Sequence, residues 1–353
     1  MMKAVKWYAP RDLRLVDVDK PVPKPHEALV RVESVGVCGS DLHYYEQGCI
    51  ANTRITEPLI PGHEYAGTVM DVGTEADRSL VGKRVAVEPG IPCLECEWCR
   101  RGQYNVCLNM FFPGGPGCDG ALCEYTALHA AFCFPVPDSL TWADAVMIEP
   151  LAVAVHAVEL ANLEPGETVA VLGLGPIGLL TAQVAKFGGA GYLFGTDLHD
   201  YRVDAGTRSG VDYAFNATKM DTVDTILRET DGRGVDVALD MARSSETLSH
   251  AFKVVHPAGR CVLAGISGQE YDQIPVTVAR RKELNVQWCR RFKYNYPTAI
   301  SLVESGKIEV RSLVTHSFPL ERAGEAFELV SNFEDNVVKA TIDRNTRPSR
   351  VSA

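Results

Sequence analysis

The string Gly173-Leu174-Gly175-Pro176-Ile177-Gly178 constrains the fold of this chain more than any other feature. It follows an apolar run at 168–172 that reads as a strand, and it opens a run at 177–187 that reads as a helix. A second strand is expected at 192–196, ending at Asp197, 19 residues after Gly178. Glycines so spaced let the backbone turn tightly and approach a pyrophosphate, while the helix N-terminus supplies unpaired N–H groups and a positive dipole end. A carboxylate about 20 residues on accepts from ribose hydroxyls and repels a 2′-phosphate, which favours NAD over NADP. The bland alternative, glycines that only turn and an Asp197 that caps the next helix, lacks a reason for the strand–turn–helix context. With further strands expected at 235–239 and 260–264, the middle third reads as α/β, a doubly wound parallel sheet.

The first 150 residues have a different grammar. They are rich in valine, glycine and proline, with short alternating runs at 28–33 and 84–87, the pattern of an all-β domain with long loops. Within them Cys93, Cys96, Cys99 and Cys107 follow the spacing C-x2-C-x2-C-x7-C. Four soft thiolates on one short lobe can close around a tetrahedral zinc, a site that holds a loop rather than catalysing, at a gain on the order of 10 kcal/mol of folding energy. A four-iron cluster, whose usual run Cys107 overshoots, and a pair of disulfides are the other arrangements such cysteines allow.

Bulk properties narrow the class. With 353 residues, 46% hydrophobic and 23% charged, the chain can bury a core in each of about two domains. A formal charge of −10 offers nothing to nucleic acid or an anionic membrane, and the local patch Arg280-Arg281-Lys282 reads as a solvated face. The start, Met1-Met2-Lys3-Ala4-Val5, lacks an apolar segment with a cleavage site, so a cytoplasmic location is expected. The richest apolar stretch, 143–161, is interrupted by Asp144, Glu149, Pro150, His156 and Glu159 and reads as a buried helix, not a membrane span. In a reducing compartment the 11 cysteines are thiols or metal ligands. There is no internal repeat, and the polar tail through Arg344-Asn345-Thr346-Arg347-Pro348 is expected to fray.

A second set of metal-ligand types is scattered: Cys38 in Gly36-Val37-Cys38-Gly39-Ser40-Asp41-Leu42-His43, His63 and Glu64 in Pro61-Gly62-His63-Glu64, and Glu149 in Ile148-Glu149-Pro150. One thiolate, one imidazole and one carboxylate suit a zinc with a place left open, and an open zinc is a catalytic one that can draw the pKa of water or an alcohol towards neutrality. From spacing alone, Cys38 also reads as a small core residue, His63 as a loop histidine, and the two glutamates as capping or supporting carboxylates.

Taken in order, GVCGSD-x-H-Y, PGHE-x-x-G, the four-cysteine lobe, IEPL and GLGPIG resemble the zinc-dependent medium-chain dehydrogenases, over nearly the whole chain, and within them the sorbitol (L-iditol 2-) and xylitol dehydrogenase branch. Glu149 stands where general alcohol dehydrogenases place a further cysteine. The resemblance implies a GroES-like β-rich catalytic domain at 1–151, an NAD-binding Rossmann domain at 152–290, and a return to the first domain at 291–353, with the active site in the cleft. It implies two zinc ions per subunit: a structural one on the four-cysteine lobe, and a catalytic one on Cys38, His63 and Glu64, with Glu149 as a ligand or the partner of a bound water. Gly173, Gly175, Pro176, Ile177, Gly178, Asp197 and Arg202 would bind the NAD. Ser40 would hydrogen-bond the reacting oxygen and His43 would pass the proton to solvent, a task that suits an imidazole; Ser40 and Asp41 also read as N-caps of the helix that follows.

The reaction so implied is oxidation of a secondary hydroxyl of a polyol to a ketose with hydride transfer to NAD, by a homotetramer or dimer. Tyr44, Phe112 and Arg291, with Ser40 and Glu149, would surround the polyol. Three departures from the branch bear on specificity: Phe292 in place of the usual tyrosine, which removes a hydroxyl donor; the loop Phe112-Pro113-Gly114-Gly115-Pro116-Gly117-Cys118; and a longer segment after Gly48. Ala242-Arg243 is a fourth, near the cofactor. L-threonine 3-dehydrogenase and butanediol (vicinal diol) dehydrogenase share the same machinery. From another class, a zinc-ribbon protein that binds nucleic acid or a partner, with the dinucleotide unit as a redox sensor, fits poorly with the acidic charge.

Overall fold

The computed structural model describes residues 1–242, 244–344 and 349–350, the last two by backbone alone; Arg243 and the tail positions 345–348 and 351–353 lie outside the described residues. The chain forms two compact units, one of Met1–Glu149, Tyr296–Ser305 and Val310–Ala353, the other of Pro150–Asn295 and Gly306–Glu309.

The first unit is built on a sheet whose strands run in the order Ser349–Arg350, Val314–Phe318, Lys339–Asp343, Glu27–Gly36, Glu64–Val72, Arg84–Val87 and Cys133–Pro135, with Tyr125–His129 also paired to Glu27–Gly36. The apolar alternation of 28–33 becomes a buried face: Val30, Val69, Val85 and Val87 are fully enclosed. Sequence-distant pairing places Thr341 opposite Gly36 and Gly36 opposite Glu64. Three hydroxyls, of Ser34, Ser317 and Thr341, donate to Asp343 at the same seam. The expected frayed tail differs at one point, because Ser349 and Arg350 pair antiparallel with Ser317 and His316.

This unit is β-rich but not all-β. Helix Gly39–Gln47 leaves the strand Glu27–Gly36 and ends at Gly48, whose φ of 70 only glycine adopts freely. It is fastened to helix Ala323–Ser331: Tyr45 packs edge-on against Phe327, and its hydroxyl donates to Glu328 Oε1 at 2.6 Å, while Arg11 holds the other Glu328 oxygen at 2.6 Å. The apolar stretch read as one helix is two, Trp142–Val146 and Ile148–Ala161, broken at Met147. Thr141 and Asp144 cap the first reciprocally, and Arg311 clamps Asp144 at 2.5 Å. Pro150 sits in the first turn of the second, where its missing N–H costs nothing.

The second unit is a wholly parallel six-stranded sheet, ordered Tyr213–Asn216, Tyr192–Asp197, Thr168–Leu172, Val235–Asp240, Val255–Leu263 and Asn285–Trp288. Counted along the unit this is 3-2-1-4-5-6, the order in which dinucleotides bind where the winding reverses, beside Thr168–Leu172. Its central strands Thr168–Leu172, Tyr192–Asp197 and Val235–Asp240 are buried almost throughout, as expected of a covered parallel sheet, whereas the edge strand Asn285–Trp288 is mostly exposed. Among the described residues no helix is long and apolar enough to cross a membrane.

Candidate functional site

The four-cysteine lobe is assembled for a metal. Cys96 and Cys99 sulfurs lie 3.4 Å apart, Cys93 and Cys107 3.5 Å, Cys96 and Cys107 3.9 Å, and Cys93 and Cys99 4.0 Å. Tetrahedral thiolates about 2.3 Å from zinc stand roughly 3.8 Å from one another, so the spacing fits that ion. Backbone N–H groups of Cys93 and Asn109 point at Cys107 sulfur, and those of Cys99 and Leu108 draw the Cys96 thiol down to about 6. All 11 cysteines are free, which removes the disulfide pairing.

In the same unit Cys38, His63 and Glu64 offer ligand atoms that all lie within 4.8 Å of one another, although they come from a helix start and a strand end far apart in the chain. Cys38 is the N-cap of Gly39–Gln47 and Glu64 the first residue of Glu64–Val72. Asp41 ties the pair: Oδ2 accepts from Cys38 N at 3.1 Å, and Oδ1 meets His63 Nδ1 at 3.2 Å, which leaves Nε2 for a metal. Burial opposes a proton on His63, yet Asp41 and Cys38 outweigh it and raise its pKa. Ser40 is inside the first turn, not its cap, and its hydroxyl donates to Cys38 sulfur at 3.4 Å.

Glu64 Oε2 faces Lys339 Nζ in a buried ion pair but makes no regular hydrogen bond. A cysteine sulfur, an imidazole nitrogen and a carboxylate oxygen without a regular hydrogen bond suit zinc. Glu149, in the first turn of Ile148–Ala161, is buried and outside the 4.8 Å set; desolvation pushes its pKa up to about 8, with His63 opposing. Gly36 makes the arrangement possible, since a Cβ there would stand 2.2 Å from Glu64 Oε2 and 3.0 Å from Lys339 Cε.

Phe112 packs on His63 with ring centroids 5.2 Å apart. The loop 112–118 is a compact turn closed by Gly114 N to Cys118 O at 3.0 Å, and Gly114 lies so close to the Gly62 backbone that a Cβ would come within 3.0 Å. That loop therefore braces the turn that presents His63. His43 is buried in the helix Gly39–Gln47 and Tyr44 partly exposed.

In the second unit Gly175 caps helix Pro176–Phe187, with Pro176 at its first position and Ile177 next. Gly173 has φ 95, and a Cβ on Gly178 would meet Gly173 O at 1.8 Å. Asp197 ends its strand, accepting from Leu174 N at 2.9 Å and His199 N at 3.1 Å, with Arg202 Nη1 3.7 Å away. A bare helix start beside a strand-end carboxylate fits a dinucleotide. Arg291 is partly exposed, and Phe292, next to it, is 3% exposed.

Sequence reasoning missed Lys339 and the second task of Asp41. The signal for Lys339 was a lone cation among Val337, Val338, Ala340 and Ile342, a run otherwise suited to burial.

Comparison with known proteins bears on both units. Residues 24–138 match the alcohol dehydrogenase GroES-like domain and residues 176–305 the zinc-binding dehydrogenase domain. The chain is 36% identical to the sorbitol dehydrogenase of Bacillus subtilis, covering 98% of each chain, and 38% identical to a probable D-xylulose reductase A of Emericella nidulans, covering 88% of each. Its fold is similar to that of 2R,3R-butanediol dehydrogenase from Bacillus subtilis, with TM-score 0.87 at 30% identity over 98% of this chain and 100% of that one.

Proposed function

Since the chain belongs to the zinc-dependent medium-chain dehydrogenases, in the branch of the sorbitol dehydrogenases and xylulose reductases, we propose that it oxidises a secondary hydroxyl of a polyol such as sorbitol, xylitol or L-iditol to the ketose, passing hydride to NAD. The observation that carries this reading is the convergence of Cys38, His63 and Glu64 on one point in a chain that also has Asp197 beside a bare glycine-rich helix start.

Zinc on Cys38, His63 and Glu64 supplies Lewis acidity that eases loss of the substrate's hydroxyl proton, and NAD supplies the hydride acceptor. Asp41 fixes the His63 ring so that Nε2 faces the metal position. Ser40 takes the substrate proton and His43 passes it onward. Glu149, with its raised pKa, can hold a proton near neutral pH beside the same oxygen. Tyr44, Phe112 and Arg291 recognise the remaining hydroxyls and carbon chain. A second zinc on the cysteine lobe holds that loop. Asp197 selects NAD. The edge strand Asn285–Trp288, with Trp288 63% exposed, supports assembly into a dimer or tetramer, and a cytoplasmic location accords with free cysteines.

A vicinal diol is the second reading, favoured by the butanediol dehydrogenase likeness and the rebuilt loop 112–118. A panel of sorbitol, xylitol, L-iditol, 2,3-butanediol and L-threonine with NAD tests both. The polyols should give the highest kcat/KM; NADH formation with butanediol alone would establish the second reading, and with threonine alone would overturn both.

A further inference from the structure

Residues 289–295 hold two left-handed residues within four positions. Arg291 and Tyr294 both lie in the left-handed region, at φ 53 and 58. Residues with a Cβ adopt that conformation only where their surroundings impose it, and glycine would adopt it without strain. An arginine there depends on its neighbours to hold the turn.

The surroundings that impose it can be named. Cys289 continues the sheet by donating its N–H to Leu263 O at 2.9 Å, and its thiol reaches Arg291 O at 3.6 Å. Phe292 anchors the middle of the segment in the core. Asn295, 2% exposed, accepts from Lys293 N on Oδ1 at 3.0 Å and donates from Nδ2 to Glu159 Oε1 at 2.9 Å. The other Glu159 oxygen faces His156 Nδ1 at 3.5 Å, on the same helix Ile148–Ala161. The amide of Asn295 thus spans from a helix carboxylate to the backbone next to the strained pair, using both of its ends.

We propose that Asn295, gripped by Glu159, is a positioning residue for substrate recognition, holding the segment in the left-handed conformation that presents the Arg291 guanidinium to the polyol hydroxyls. The assignment rests on the reading of Arg291 as a polyol contact. Without the clasp the segment relaxes, the guanidinium samples many orientations, and the donors for several hydroxyls are no longer preorganised. Chemistry at the metal position and dinucleotide binding draw on other residues and are untouched.

The experiment uses the zinc-loaded enzyme with xylitol and NAD. Asn295→Ala should raise KM for xylitol about tenfold, as for a loosened hydrogen-bonding group, with kcat, KM for NAD and zinc content within about twofold of the parent. Glu159→Gln keeps an acceptor for the Asn295 amide and should stay near the parent, whereas Glu159→Ala should reproduce the rise in KM. Unchanged KM in Asn295→Ala, or equal losses in Asn295→Ala and Glu159→Gln, would overturn the proposal. Where Asn295→Ala fails to fold, Glu159→Ala against Glu159→Gln decides alone. Arg291→Ala separates the two layers: a raised KM there with none in Asn295→Ala removes only the clasp, and an unchanged KM in Arg291→Ala removes the reading beneath it as well.

Discussion

Lys339 and Glu64 form an ion pair closed off from water, the lysine side chain 3% and the glutamate 1% exposed. Burial opposes the ammonium, but Glu64 above all, with Cys38 and Glu149 nearby, outweighs it and raises its pKa. With zinc on the proposed site, lysine and metal would share one carboxylate.

Replacing Lys339 by methionine should make the protein depend on metal. Breaking a buried pair costs about 3–5 kcal/mol because a charge is left uncompensated, and a zinc ion on the same ligands offsets that loss. Scanning fluorimetry of Lys339→Met should show a large fall in Tm after chelation and a small one with zinc. Equal falls would remove Lys339 from the metal site.

Metal analysis should return about two zinc ions per chain from the two ligand clusters. Cys38→Ser should keep about one, lose turnover, and retain NADH affinity in a fluorescence titration. Cys107→Ser should also keep about one, but with a lower Tm, since the lobe's own folding energy goes with its metal. Two ions retained in Cys38→Ser would mean that the thiolate was misassigned.

Asp197→Ala should weaken NAD and admit NADP. Loss of the carboxylate removes the acceptor for the ribose hydroxyls and releases Arg202, now 3.7 Å from it, to meet a 2′-phosphate. The same change strands Leu174 N, so a stability loss of about 1–3 kcal/mol should accompany it. An unaltered ratio of kcat/KM for the two coenzymes would end this role for Asp197.

Glu88, enclosed at the end of the strand Arg84–Val87, should impose a pH dependence on stability. Desolvation lifts its pKa to about 7, against a hydrogen bond from Tyr104. The folded state thus holds a proton that the unfolded state releases near its usual value of about 4.3. The contribution is complete below pH about 4.3, declines through the interval, and is lost once the pH passes about 7. At most it is worth about 4 kcal/mol. Glu88→Gln should flatten that slope in urea titrations between pH 5 and 8, and an unchanged slope would show that another group sets it.

Local signals were legible and long-range ones were not. Gly173, Gly175 and Gly178 announce their turn because strand, glycines and helix are contiguous, and Asp197 follows at a fixed reach. The cysteine lobe is equally local. Cys38, His63 and Glu64 were grouped by ligand type, but only family resemblance set that grouping above their bland readings, since nothing in their spacing records that Gly36 lies opposite Glu64. Lys339 joins them through a strand pairing that bridges nearly the whole chain, and the left-handed turn at Arg291 leaves no mark in composition. The break at Met147 escaped because apolar periodicity runs through it.

The placement of Lys339 on a late strand gives the site an order of birth. During synthesis Cys38, His63 and Glu64 leave the ribosome long before the strand Lys339–Asp343 exists to dock beside Glu27–Gly36. Until that strand docks, Glu64 lacks the cation that faces it in the folded protein. Docking of the strand Lys339–Asp343, not the appearance of the ligands, brings this pocket to its finished charge.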